Sequence, residues 1–174
     1  RRLPQHDHCV AQKGAVKLPP LSTTLLPPDP TDATAADLEL DEVWSFVGSK
    51  RNPVYVWIAL CRATRQVIAM ATGDRSAATC WRLWIAIPEP YRRGFCYTDF
   101  WQSYQAVIPD EQHVASGKET GYTAHIERWN NTLRQRLGRF VRKTLSFSKC
   151  SVMHWICLQL FLHRYNLEIA IRRG

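Results

Sequence analysis

Three strand-like runs follow one another with no helical pattern between them, and this order does most to narrow the fold. "LELDEVWSFVG" (38–48), "PVYVWIALCR" (53–62) and "RQVIAMATG" (65–73) are rich in β-branched and aromatic residues, with short polar turns between them. The signals then alternate. "SAATCWRLWIAI" (76–87) reads as a helix that Ser76 caps and that Pro88 and Pro90 end. "RGFCYTD" reads as a short strand, "WQSYQAVI" as a short helix and "QHVAS" as another strand. Two helices close the chain, at roughly 121–143 and 150–171. This succession predicts an α/β fold: a mixed sheet, three antiparallel strands first, flanked by helices.

At 174 residues, 45% of them hydrophobic and seven of them Trp, the chain suits one domain with a real core. That domain is expected over 37–171. Residues 1–36 hold "KLPPLSTTLLPPDPTDATAAD"; proline fixes φ and removes donors, so this part reads as a flexible linker or remnant. The six cysteines are dispersed without a C-x-x-C pair, which fits a reducing, cytoplasmic setting. "HDHC" (6–9) stands alone and is a weak zinc motif. The most apolar stretch, 152–171, is interrupted by His154, Gln159, His163, Arg164, Asn166 and Glu168, which argues for a buried helix and against a membrane span.

The formal charge is +8, and residues 124–149 alone hold seven Arg or Lys and one carboxylate. A clustered basic surface suits a polyanion such as DNA. The placement of the few acids then matters. Asp41 falls inside the first strand, where aspartate is disfavoured; on a central strand it needs a partner or a metal, and on an edge strand it is simply exposed. Glu39 and Glu42 compete with it for any role. Asp99 follows an apolar strand and precedes a helix, with Gln102 three residues on, so it also reads as a helix cap. Tyr122, Ile126, Trp129, Leu133, Leu137 and Phe140 recur at helical spacing as a buried stripe. Glu127 sits on its margin, sharing a face with Asn130 and Arg134. Carboxylates on a first strand, at a later strand's end and on a downstream helix are what hard cations require. Two Mg²⁺ ions held by such oxygens activate water or a 3′-hydroxyl against a phosphodiester.

At these residues the chain resembles bacterial DDE transposases of the insertion sequence one family. The likeness is carried by "LELDEVWSFVG", "CYTDFWQSYQAVI" and "HIERWNNTLRQRLGRFVRKTLSFSK", and it spans about residues 38–170. It implies a ribonuclease-H-like fold, catalysis with Mg²⁺ or Mn²⁺, and Asp41, Asp99 and Glu127 as the catalytic and metal-binding triad. It implies double-stranded DNA partners, both element terminal repeats and target, and a homo-oligomer that pairs two ends. It also implies an upstream zinc-finger and helix-turn-helix half, fused or in trans. A basic residue seven positions after the glutamate assists DNA binding in many such enzymes, and Arg134 stands there. Asn130, Arg134, Arg136, Arg139, Arg142 and Lys143 are the expected phosphate contacts. A non-catalytic DNA-binding fragment or regulator from a decayed element is the alternative reading, and a stand-alone nuclease of the same fold is another.

Overall fold

The computed structural model describes residues 18–141 and 145–173. Arg142, Lys143 and the His6–Cys9 motif lie outside them. Strand β1 (Leu38–Phe46) pairs antiparallel with β2 (Pro53–Cys61) along its whole length, and β2 pairs antiparallel with β3 (Val67–Gly73). Helix α1 (Ala77–Ala86) follows. Strand β4 (Cys96–Thr98) then returns to lie parallel to the other side of β1, and β5 (His113–Ala115) lies parallel to β4. The order is β3-β2-β1-β4-β5, a five-stranded mixed sheet of the kind a ribonuclease-H-like fold has. The short α2 (Gln102–Gln105) lies between β4 and β5, and α3 (Ala124–Arg136) and α4 (Ser151–Arg173) complete the chain.

Period-2 alternation along β1 feeds two separate cores. Leu38 and Leu40 pack with Cys80, Leu83 and Trp84 of α1 and Tyr104 of α2. Val43 points the other way, into a cluster with Ile126, Trp129, Leu133, Leu158 and Leu162 of α3 and α4. Helix α1 starts where expected: the Ser76 hydroxyl accepts a bond from the Thr79 N–H, and the chain turns extended at Ile87 before Pro88.

Helix α3 is shorter than its apolar periodicity suggests. Leu137 swings to φ −121° and ψ 95°, and Gly138–Phe140 form a single 3₁₀ turn. Glycine is a poor helix former, and the turn sends Phe140 back into the core against the His154 ring, 4.8 Å away. Tyr122 precedes the helix and is 44% exposed, packed edge-on against Tyr97, so it does not belong to the buried stripe.

The proline-rich stretch, expected as a free linker, is tied down from Leu18 onward. Gln66 Nε2 donates to the Thr24 carbonyl (2.9 Å), and its Oε1 accepts from the Leu26 N–H (2.8 Å). Asn166, fully buried on α4, donates to Thr24 Oγ1 (3.0 Å) and the Val67 carbonyl (2.8 Å), and accepts from the Val67 N–H (2.9 Å). One amide thus joins the strap, β3 and α4. Asn166→Ala leaves the Val67 groups unpaired in a dry interior, and urea unfolding is expected to show a loss of about 2–4 kcal/mol. A change under 1 kcal/mol would mean that water replaces the amide.

Among the described residues, no helix is long and apolar enough to cross a membrane.

Candidate active site

Strand β1 lies between β2 and β4, so Asp41 sits on an interior strand and the edge-strand alternative does not hold. Its Oδ1 accepts from the Glu42 N–H (2.7 Å) and its Oδ2 from Asn130 Nδ2 (2.6 Å). Burial, followed by the negative charges of Glu42 and Asp99, pushes the Asp41 carboxyl up to about 7 against the opposing pull of these two hydrogen bonds. A carboxylate held there without a cation is under electrostatic stress.

Asp99 follows β4 and is exposed. Its Oδ1 accepts from the Trp101 N–H (3.0 Å), an Asx turn, and α2 begins only at Gln102 with Trp101 in the capping position. The capping box expected of Asp99 and Gln102 therefore does not form. Glu127 lies exposed in the first turn of α3 and accepts a long bond from Thr123 Oγ1 (3.4 Å).

All three acids line one open cleft of roughly 640 Å³, with Asn130, Arg134 and the exposed Phe100 beside them. Among the described residues, no three His, Cys, Asp or Glu side chains stand close enough together to form a ready-made metal-binding group. The cleft nonetheless suits a hard cation in its chemistry: its ionisable donors are all carboxylates, and the buried one is held by an amide and a backbone N–H while two neighbouring acids repel it.

The two competing acids on β1 are already partnered, although Glu42 also lines the cleft. Glu39, with no exposed surface, accepts from the Ile126 N–H (2.9 Å) and from His125 Nδ1 (2.6 Å), with Arg62 Nε at 3.5 Å. Thr123 gives α3 no side-chain cap, so Glu39 takes that role from a neighbouring strand. It fixes the start of α3, and with it Glu127, against the strand that carries Asp41. Glu42 accepts from the Tyr104 hydroxyl (2.9 Å) and pairs with Arg75, whose guanidinium lies 3.8 Å over the Trp101 ring. Sequence reasoning missed both arrangements. Only the position of Glu39, two residues before Asp41 and on the same face, hinted at the first.

The expected phosphate contacts divide. Arg134 and Asn130 both line the cleft, but Asn130 is buried and its amide donates to Asp41. Arg136 turns towards α4 and pairs with Glu168 (3.1 Å), which Arg164 also holds (2.9 Å). Arg139 reaches Ser148 Oγ at 3.5 Å beyond the end of α3.

A sequence model of the family described as IS1 transposase matches residues 35–167, every element of the sheet included. The chain belongs to the IS1 transposase family. The insertion element iso-IS1n protein InsB of Shigella dysenteriae is 39% identical over 127 residues, covering 73% of this chain and 94% of that protein. The insertion element IS1 4 protein InsB of Escherichia coli (strain K12) is 36% identical over 153 residues, covering 88% and 86% respectively. Within this IS1-family chain the match begins in the strap and ends on α4, so it takes in the cleft and both cores.

Proposed function

We propose that this transposase is a divalent-metal-dependent polynucleotidyl transferase of the DDE type, with Asp41, Asp99 and Glu127 holding two Mg²⁺ or Mn²⁺ ions. The observation that carries the reading is that acids from β1, the end of β4 and the start of α3 open into one cleft beside Arg134. When bound, the ions lower the pKa of the attacking hydroxyl or water and offset charge on the phosphate. The protein's own groups do the rest. Asn130 and the Glu42 N–H aim the two oxygens of Asp41. The Asx turn orients Asp99, and the Glu39 clamp sets the position of Glu127. Arg134 holds the DNA phosphate at the cleft, with Arg139 further along.

The substrate is duplex DNA. Hydrolysis at the element end frees a 3′-hydroxyl; its oxygen attacks a target phosphodiester and expels that strand's 3′-oxygen. Pairing of two ends calls for a homo-oligomer, and recognition of the terminal repeats for a zinc-finger and helix-turn-helix half, fused or in trans. The reaction takes place in the cytoplasm, at the nucleoid.

Strand transfer tests this reading. A pre-cut element end and a supercoiled target are incubated with the chain in Mg²⁺ or Mn²⁺, beside Asp99→Asn and Glu127→Gln. Wild type is expected to join ends, while both variants bind DNA without joining. Binding without cutting or joining by wild type, even with the upstream half added, would leave a non-catalytic DNA-binding protein. Cutting without joining would leave a nuclease.

A further inference from the structure

The turn between β1 and β2 meets the loop after α3 at the far end of the sheet. Val47 forms a parallel bridge with Ser148, and the Gly48 N–H donates to the Ser148 carbonyl (2.7 Å). Gly48 has φ +73°, a conformation that favours glycine. The Phe46 and Phe147 rings, 5.4 Å apart, pack the loop onto the strand end, and buried Ser148 shares a hydrogen bond with His154 Nδ1 (2.8 Å). The junction is therefore built, and it presents cations. Lys50 and Arg51 are exposed on the turn, Lys149 is exposed on the loop, and Arg139 reaches the same serine.

Neither segment carries an acid of its own. The chain holds no Asp or Glu between Glu42 and Asp74, nor between Glu127 and Glu168, and these two spans supply the whole junction. Among the described residues, none of the four cations forms an ion pair with a carboxylate, unlike Arg136, Arg93 and Arg164. Helix α3 runs the same way as β1, with Ile126 bonded to Glu39, Asn130 to Asp41, and the loop after it bridged to Val47. From the cleft the order is thus Arg134, Arg139, then Lys149 with Lys50 and Arg51. Asp41 to Phe46 spans about 17 Å of strand, and the turn lies beyond it.

We propose that this junction is a second DNA contact, gripping backbone phosphates of the duplex about five to seven base pairs from the phosphate held at the cleft, at a rise of about 3.4 Å per base pair. It rests on the reading of the cleft as a DNA-processing site. The contact is made to the backbone, so element end and target share its chemistry. The three cations of the turn and loop lie outside the phosphate-contact set that the sequence alone suggested.

The test is equilibrium binding of the full chain, in EDTA, to labelled duplexes lengthened in two-base-pair steps on one side of a cut end. Wild type is expected to gain affinity where the duplex reaches five to seven base pairs. Lys50→Gln/Arg51→Gln should remove that step, weaken binding to the longer duplexes about tenfold, and reduce the slope of log K against log salt by about 2. Lys149→Gln should reduce the slope by about 1. The charge-matched control is Arg172→Gln/Arg173→Gln at the far end of α4, about 35 Å along the helix, and its step should persist. Equal loss on an unrelated duplex supports a backbone contact, and loss confined to one sequence overturns it. Equal effects of the two double variants, or no step in wild type, also overturn it. Catalysis plays no part in this assay, so an inactive cleft with an intact length step would sink the DDE reading alone, and an active cleft without the step would sink the junction alone.

Discussion

Asp41→Asn is expected to yield a protein that is more stable without metal and inert in strand transfer. In the folded chain the Asp41 carboxyl is pushed up to about 7, against 3.8 for a free aspartate. The folded state therefore holds this proton more tightly than the unfolded chain does. Stability of the metal-free protein is full below pH 4, falls as the pH rises through the interval from about 4 to 7, and stays low above it. Asparagine fills the same space without the charge, so the variant is expected to gain about 2–4 kcal/mol over wild type at pH 8 and almost nothing at pH 4. Urea unfolding in EDTA at pH 4, 6 and 8 checks this. Joining of ends should meanwhile fall by at least ~10³-fold, several kcal/mol of lost transition-state stabilisation. A variant no more stable than wild type at pH 8 would show that Asp41 is well solvated or well paired, removing the electrostatic argument for a cation there.

Glu39→Ala should be the most damaging substitution around the cleft that leaves all three acids in place. It strips the acceptor from the Ile126 N–H, from His125 and from Arg62 at once, at a site with no solvent. The expected loss is about 2–4 kcal/mol, most of it from leaving buried donors unpaired. Glu39→Gln keeps an oxygen for the Ile126 N–H and is expected to lose only about 1 kcal/mol. The signature is local: amides in the first turn of α3 should exchange faster in the alanine variant than in the glutamine variant, while β2 and β3 stay protected. Equal exchange in both variants would mean that the helix start is held by its packing, through Ile126 and Trp129, and not by the clamp.

The parts of this fold that were readable in the sequence are those with a short period. Alternation along 38–46 puts Leu38 and Leu40 on the opposite face from Val43, and the structure sends those faces to separate cores; Ile126, Trp129 and Leu133 marked the buried face of α3. Local chemistry also gave the Ser76 cap. The errors lie where periodicity outruns backbone geometry. Tyr122 and Leu137 continue the helical spacing, but the chain is turning at Gly121 (φ +68°) and is extended at Leu137. Asp99 was read as the cap of α2, whose capping position is Trp101, two residues further on, since an Asx turn and a helix cap draw on the same residue types. What could not be read has distant partners. Glu39 and Glu42 are alike in the sequence, and only contacts 86 and 62 residues away give one to His125 and the other to Tyr104. The strap has no pattern of its own and is held by Gln66, 40 residues on, and Asn166, 142 residues on. The three acids of the cleft could be named because they match a family motif; their meeting in one cleft is a property of the topology.

The central position of β1 also sets the order in which the molecule can assemble. The hairpins β1–β2 and β2–β3 close short loops and form early, carrying Asp41 in a meander that has not yet met any acid beyond Glu39 and Glu42. Joining β4 to β1 bridges Leu38 and Cys96, and docking α3 bridges residues 87 apart. The repulsion between Asp99 and Asp41 therefore arises only at these late, long-range steps. The carboxylates that meet in the cleft therefore oppose the final docking, and under the function proposed above a bound cation would relieve that opposition.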